Sequence, residues 1–184
     1  MLLIDVRHSS MSNPSSNDSP IVNRVASSAL VTFNLEDYYT PGERALLDIK
    51  PWLFQELVLK EKDFREFVKQ HNWQQYDGKF LAIYCSADAI IPTWAFMLAC
   101  LHAQPFAKQV VVGNAEDLET QLFRQALQQV DWQQFKDAKV VIKGCSNVTV
   151  PTSIYADATA RLRPVAASIM FGEPCSTVPL FKRK

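Results

Sequence analysis

The chain has 184 residues, of which 48% are hydrophobic, with 19 basic and 19 acidic side chains. A chain of this length buries about 70% of its unfolded surface, so its core needs no disulfide bond or metal ion. The zero formal net charge argues against a general nucleic-acid-binding protein, which needs a basic surface. No apolar run reaches the ~18 residues of a membrane span. These properties predict a soluble, cytoplasmic protein with neither a nucleic-acid nor a membrane partner.

The first 20 residues are expected to be a disordered leader. Residues 9–20 are mainly Ser, Asn, Asp and Pro, which bury too little apolar surface to fold. Met11 is an alternative start to Met1. We expect ordered chain to begin near Ile21 and residues 21–184 to form a single α/β domain.

Two strands and two helices are predicted before residue 79. Residues 29–35 are rich in β-branched and aromatic side chains, and residues 44–49 can return as their antiparallel hairpin partner. Helical stretches follow at 52–59 and 61–70. The second has Phe64, Phe67 and Val68 on one face, opposite its charges.

From residue 79 onward, short apolar strands alternate with helices, which predicts parallel strands joined by right-handed crossovers. The helix that begins at Thr93 is apolar nearly all round and is expected to be buried. The last helix is expected to end at Gly172, with a break at Pro164. The predicted fold is α/β in three layers, a mostly parallel central sheet with helices on both faces. The predicted strands are 80–84, 110–112 and 140–142, and the predicted helices are 93–102, 114–130 and the segment after Pro151. Asn114 and Asp117 are spaced to form a capping box at the start of the second of these helices.

Two segments resemble each other around a cysteine. In 85–93 and in 145–152, a strand ends at Cys-Ser and Pro-Thr opens a helix, with Cys-to-Pro spacings of seven and six residues. If both strands belong to one parallel sheet, Cys85 and Cys145 lie at its carboxyl edge, where open α/β folds bind ligands. Each thiol also precedes a helix N-terminus, which favours a thiolate.

These thiols, with two more side chains, predict a thiolate-rich site for zinc or, as second choice, iron. Cys175 follows the last helix and is expected to return to the same edge. Lys143 and Glu173 would lie just outside the ligands, Lys143 favouring the thiolate form and Glu173 bonding to a ligand. Cys100, in an apolar helix, is expected to be a core residue. The predicted ligands are Cys85, Asp88, Cys145 and Cys175.

Several motifs resemble those of a bacterial family of unknown function, numbered 2480, over residues 21 to 183. The resemblance brings no established activity. It implies a small cytosolic protein whose genes can lie near those for iron–sulfur cluster assembly, and it favours metal or sulfur handling with iron–sulfur assembly proteins as partners. The motifs that carry it are 22–25 (VNRV), 59–65 (LKEKDFR), 85–95 (CSADAIIPTWA), 143–146 (KGCS) and 172–179 (GEPCSTVP).

Three functions therefore stay open. The first is a metal-binding protein or small metalloenzyme, in which zinc would lower the pKa of a bound water to about 7. The second is thiol chemistry without metal, either sulfur transfer or a redox pair of Cys85 and Cys145. The third is a non-catalytic interaction protein whose cysteines are buried. The sequence leaves open the substrate, the oligomeric state and whether Cys175 reaches the other thiols.

Overall fold

The computed structural model describes residues 30–144 and 147–184. It confirms the α/β class with mostly parallel strands. The predicted leader lies outside these residues, and no helix within them is long and apolar enough to cross a membrane. The strands are β1 (Leu30–Asn34), β2 (Arg44–Asp48), β3 (Phe80–Tyr84), β4 (Gln109–Val112), β5 (Lys139–Lys143), β6 (Ser168–Glu173) and β7 (Ser176–Lys182), and the helices are α1 (Glu61–Gln70), α2 (Thr93–Ala103), α3 (Ala115–Gln128) and α4 (Thr152–Leu162).

These strands form two sheets rather than the single central sheet expected. The three-stranded sheet has the order β2-β3-β4, all parallel. The four-stranded sheet has the order β1-β5-β6-β7, in which only β7 is antiparallel to its neighbour. The expected hairpin of β1 and β2 is wrong, because β1 pairs with β5 and β2 with β3. A 3-10 turn at Leu35–Tyr38 follows β1 and carries the chain to the other sheet.

Helix α3 lies between the two sheets. Its Leu118 and Leu122 pack with Phe80 of the three-stranded sheet. Its Phe123 and Leu127 belong to the core formed with α4 and the four-stranded sheet. Helices α1 and α2 cover the opposite face of the three-stranded sheet, so this sheet has helices on both faces as predicted.

The two sheets belong to two copies of one structural unit. β3 and β5 begin at Phe80 and Lys139, and α2 and α4 begin at Thr93 and Thr152, so both pairs are 59 residues apart. We call β2, α1, β3, α2 and β4 the three-stranded unit, and β1, α3, β5, α4, β6 and β7 the four-stranded unit. The chain inserts the first between β1 and α3 of the second.

Backbone contacts repeat with the same offset. The Gly78 N–H donates to the Phe106 carbonyl, and the Asp137 N–H donates to the Val165 carbonyl. In both units a proline directly precedes the helix that follows the middle strand. The repeat therefore includes both the prolines before these helices and individual backbone hydrogen bonds.

Two of the helix predictions are wrong. Residues 52–59 form no helix; a 3-10 turn at Lys50–Trp52 leads into a tight turn bridged between Phe54 and Val58. The last helix ends at Leu162, and β6 and β7 occupy the chain beyond it. Pro164 has no N–H for a helix and disfavours helical backbone before it, so it ends the helix rather than kinking it.

Helix α2 is less buried than its composition predicts. Ala95, Ala99 and Ala103 are fully buried, whereas Met97 and Leu101 are 61% and 64% exposed. The small residues face the sheet and allow close packing, and the large apolar ones lie outside. The sequence prediction that this helix is buried on all sides, made because it has no polar face, is therefore wrong.

Candidate functional site

The three-stranded sheet has a topological switch point between β3 and β4. β3 leads into α2, which packs with Leu81 and Ile83 on one face. β4 leads into α3, which packs with Phe80 and Ala82 on the other face. The two connections leave the sheet in opposite directions and open a crevice between the carboxyl ends of the strands. Ligands of open α/β sheets bind in such crevices.

A crevice with a volume of about 320 Å³ occupies this position. It is lined by the half-buried Cys85, together with the side chains of Ile91, Phe96 and Val112 and the backbone at Gly113. None of the residues that line it is charged. The crevice thus contains a thiol among uncharged residues, with Tyr84 also in its lining.

The loop that carries Cys85 is fixed by Asp48 at the end of the neighbouring strand. The Asp48 carboxylate accepts hydrogen bonds from the Ser86 hydroxyl and from the Ser86 N–H at 3.0 Å. It also accepts the Lys50 N–H at 2.9 Å. Partial burial acts to raise the pKa of Asp48, but these hydrogen bonds and the Lys50 charge outweigh it and hold the pKa below 3.8. An ionised carboxylate therefore holds the chain next to the thiol.

Lys50 brings a positive charge near the crevice. Its ammonium pairs with Glu56 at 3.0 Å. A hydrogen bond and charge attraction from Glu56 raise the pKa of Lys50, and an interaction with Cys85 contributes in the same direction. The ammonium thus lies within electrostatic range of the Cys85 side chain.

Gly113 makes the close approach of β4 to α3 possible. Its φ is +145°, and a Cβ there would lie 2.5 Å from the Asp117 carboxylate. That carboxylate accepts the Asn114 N–H at 2.8 Å, while the Asn114 side chain accepts the Asp117 N–H. This confirms the capping box predicted at Asn114 and Asp117, and it shows why the wall of the crevice contains a glycine.

The same place in the four-stranded unit is built differently. With the 59-residue offset, Gly144 takes the position of Cys85 and Tyr155 that of Phe96. A Cβ on Gly144 would lie 2.6 Å from the Tyr155 hydroxyl oxygen. The hydroxyl thus fills the space that the Cys85 side chain has in the other unit.

The 59-residue offset between the two units also explains why the two Cys-to-Pro spacings differ. The strands end and the helices begin at equal intervals in the two units, so the cysteines are offset by one residue. Cys85 aligns with Gly144, and Cys145 aligns with Ser86. The two cysteines are not equivalent positions of the repeat. Cys145 lies outside the described residues.

The predicted metal ligands follow strands of two different sheets. Cys85 and the exposed Asp88 follow β3, and the exposed Cys175 lies in the turn between β6 and β7. The expectation that one sheet edge collects them is therefore wrong. Within 30–144 and 147–184, no three His, Cys, Asp or Glu side chains form a group that could hold a metal ion. With Cys145 outside these ranges, the four-ligand set stays a prediction.

The remaining predicted site residues lie at the four-stranded sheet. Lys143 ends β5, Glu173 ends β6, and their side chains form an ion pair at 3.0 Å. Cys175 comes two residues after Glu173. The β6–β7 hairpin, rather than a returning surface segment, brings Cys175 to the carboxyl edge of this sheet.

Cys100 has the surroundings expected of a core residue. It is half-buried in α2, packed against the core of the three-stranded unit. Burial raises the pKa of its thiol above 9.0. It therefore serves as an internal reference for an unreactive cysteine.

Sequence reasoning missed Asp48, Lys50 and Phe96. The signal for Asp48 was present, because an Asp that ends a strand two residues before Lys50-Pro51 is typical of a turn closed by its own carboxylate. The contact of Asp48 with Ser86 spans 38 residues and needed the pairing of β2 with β3. No local signal marks Phe96.

Fold and site together define an α/β protein with a duplicated strand–helix unit and a thiol-lined crevice at the switch point of one copy. The chain matches the family described as protein of unknown function (DUF2480) over residues 19–183, and it belongs to that family. The match confirms the family resemblance seen in the sequence. No curated protein and no solved structure matches the chain.

Proposed function

We propose that this protein works through the Cys85 thiol, which holds a small, uncharged ligand in the crevice between β3 and β4. The observation that carries the proposal is the position of Cys85, half-buried at a switch point and surrounded by uncharged lining residues. Among the three functions that the sequence leaves open, it is closest to thiol chemistry without metal, for which the sequence predicts sulfur transfer or a redox pair of Cys85 and Cys145.

The surroundings of Cys85 fit that role. The Asp48 carboxylate fixes the loop through Ser86, so the sulfur position is set before a ligand arrives. Lys50 interacts electrostatically with Cys85, so a positively charged side chain lies near the sulfur. The uncharged walls offer contact surface to a ligand bound at the sulfur.

Site-resolved labelling with N-ethylmaleimide, a small neutral thiol reagent, tests this proposal. We expect Cys85 to react about tenfold faster than Cys100, because desolvation holds Cys100 in its unreactive thiol form. The Val112→Phe variant places at the crevice the residue that the four-stranded unit carries there, Phe171. It should slow labelling of Cys85 several-fold and leave Cys175 unchanged.

Labelling of the exposed Cys175 shows that the reagent is active. Peptide mass spectrometry assigns each labelling rate to its cysteine. Circular dichroism shows whether Val112→Phe is folded. Labelling of Cys85 at the rate of Cys100, or an unchanged rate in folded Val112→Phe, would contradict the proposal.

A metal site at the carboxyl edge of the four-stranded sheet is a second candidate. The observation that favours it is the exposed Cys175, two residues beyond Glu173 in the turn after β6. The adjacent strand β5 continues through Gly144 toward Cys145. Thiolates and a carboxylate suit zinc, or iron as used in iron–sulfur assembly.

Elemental analysis of protein from metal-replete cells tests this candidate. We expect about one zinc or iron per chain, lost on Cys145→Ser or Cys175→Ser. A site of the originally predicted composition would also lose metal on Cys85→Ser or Asp88→Asn. Less than about 0.1 metal per chain would contradict both compositions, since a four-ligand site is stoichiometric.

A further inference from the structure

A second groove lies on the three-stranded unit and is lined by residues between 52 and 70. It has a volume of about 400 Å³. Trp52, Leu53 and Phe54 line it on one side, and Phe67 lines it from α1. Phe54 and Phe67 are 44% and 43% exposed. Large aromatic side chains are thus left partly in water on both sides of an open groove.

The turn beside the groove is strained. Phe54 and Val58 exchange backbone hydrogen bonds at 2.8 and 3.1 Å, and Gln55 and Glu56 between them have φ values of 52° and 57°. A side chain in this left-handed region costs about 1–2 kcal/mol, and such turns normally contain Asn-Gly. Strain of this kind is found at functional sites more often than elsewhere.

The strained turn presents apolar side chains to solvent. Leu57 and Val58 are 60% and 55% exposed, next to Phe54 at the rim of the groove. Exposed large apolar side chains beside an aromatic groove favour a binding site there.

The charge of the groove is one-sided. Asp63 and Glu66 line it from α1, and its other lining residues include no Lys or Arg. Neither carboxylate forms an ion pair with a residue in the described ranges, and Glu66 accepts a hydrogen bond from Gln70 Nε2 at 2.6 Å. Lys60 lies with its ammonium 3.1 Å from the centre of the Phe54 ring, outside the lining. An occupant therefore meets aromatic surface and two carboxylates.

We propose that this groove binds a peptide segment of another protein, one that carries a large apolar side chain and a Lys or Arg. The apolar side chain packs between Phe54 and Phe67, and the cation pairs with Asp63 and Glu66. This interaction is independent of the thiol function proposed for Cys85.

Selection from a displayed library of random 12-residue peptides on the full-length protein tests the proposal. Enriched peptides should pair an aromatic or large aliphatic residue with a Lys or Arg within four positions. A synthetic peptide of the enriched sequence should bind D63K/E66K at least about tenfold more weakly, since like charge then replaces opposite charge. The isosteric D63N/E66Q variant should show a smaller loss and keeps the test valid if D63K/E66K does not fold.

The matched control is K62E/K69E, which reverses two charges on α1 outside the groove lining. It should bind the peptide at least as well as the wild type. The absence of an enriched consensus, a consensus without a cation, or equal binding to D63K/E66K would overturn the proposal. Sedimentation that shows a dimer dissociated by D63K/E66K would assign the groove to a second copy of this chain and overturn it as well.

Discussion

The two copies of the repeated unit share their backbone and differ where their middle strands end. In the three-stranded unit, Cys85 and Phe96 leave a crevice between β3 and β4. In the four-stranded unit, Gly144 and Tyr155 stand at these positions, and the tyrosine hydroxyl lies where a Cβ would be. Two side chains thus decide whether the same scaffold carries a thiol at its switch point. The copies thus differ in a thiol beside a crevice in one and a packed tyrosine hydroxyl in the other.

The copies also differ in how they fix the loop after the middle strand. Asp48 holds Ser86 in the three-stranded unit, and Glu36 holds the Asn147 N–H at 2.8 Å in the four-stranded unit. Both carboxylates follow or end the first strand of their unit. Both units therefore fix this loop with a carboxylate, which comes from an aspartate in one unit and from a glutamate in the other.

The largest effect is expected from forcing a side chain into the closed copy. Gly144→Ala should destabilise the protein by about 1–3 kcal/mol, the usual cost of overpacking, because its Cβ would lie 2.6 Å from the Tyr155 hydroxyl oxygen. Adding Tyr155→Phe recreates the residue type at Phe96 and should recover most of the loss. Urea denaturation of both single variants and the double variant measures this coupling.

The single Tyr155→Phe variant is the control, because it reports what the hydroxyl contributes on its own. Additive free energies of unfolding in this cycle would contradict the view that the hydroxyl and the missing side chain share one space.

The second test compares the tryptophans at equivalent positions. The Trp73 indole N–H donates to the Val68 carbonyl at 2.8 Å. The Trp132 indole N–H is buried and has no partner among the described residues. Trp73→Phe should cost about 1–3 kcal/mol, because it leaves a buried carbonyl unpaired. Trp132→Phe should cost less.

Differential scanning calorimetry of the two variants measures the difference directly. Both substitutions shorten the ring system by the same amount, so the packing loss largely cancels in the comparison. An equal or larger loss in Trp132→Phe would show that the two copies do not differ in this hydrogen bond.

Residues with strong local signals were predictable from the sequence. Helix 61–70 and strand 80–84 match the structure, and the capping box at Asn114 and Asp117 is present. The Pro-Thr pairs that open α2 and α4 occupy equivalent positions of the repeat, whereas the Cys-Ser pairs are offset by one residue. These features depend on periodicity, capping chemistry and proline, which act within a few residues.

Long-range pairing was not predictable. The division into two sheets depends on β1 pairing with β5, more than 100 residues away, and nothing local specifies that choice. The same limit applies to the site, since Asp48 reaches Ser86 only after β2 pairs with β3. The strands β6 and β7 were hidden because Ile169 also fits a helical spacing after α4.

The turn at Gln55-Glu56 belongs to the three-stranded unit and offers a test of smaller effect. Q55N/E56G introduces the residues that such a turn favours. It should stabilise the protein by about 1 kcal/mol, since relief of left-handed strain exceeds the entropy cost of glycine. Loss of the exposed Glu56 pair with Lys50 should matter little.

Thermal unfolding monitored by circular dichroism checks this prediction. E56A is the control, because it removes the same ion pair without relieving the strain. A melting temperature of Q55N/E56G at or below that of E56A would show that the turn is not strained in the folded protein.

The smallest effect is expected from substituting a histidine of the three-stranded unit whose equivalent in the four-stranded unit is not a histidine. His71 corresponds to Val130, and it packs against Trp52 and Trp73 with ring centroids 5.1 and 4.7 Å away. Its Nε2 lies 3.1 Å from Gln75 Nε2 and 3.0 Å from the Tyr76 hydroxyl oxygen. Burial lowers the pKa of His71 below 6.5.

The sign of the pH dependence follows from that shift. Between the folded and unfolded pKa values of His71, the unfolded chain binds more protons than the folded protein. The free energy of unfolding should therefore fall as pH is lowered through 6.5, and it should level off below the folded pKa. His71→Val installs the residue of the four-stranded unit and should flatten this slope, while His102 remains as an unchanged histidine.

Urea denaturation at intervals between about pH 8 and pH 5, above the usual range of carboxylate titration, measures the slope. An identical slope in His71→Val would place the proton uptake elsewhere and remove this difference between the two copies.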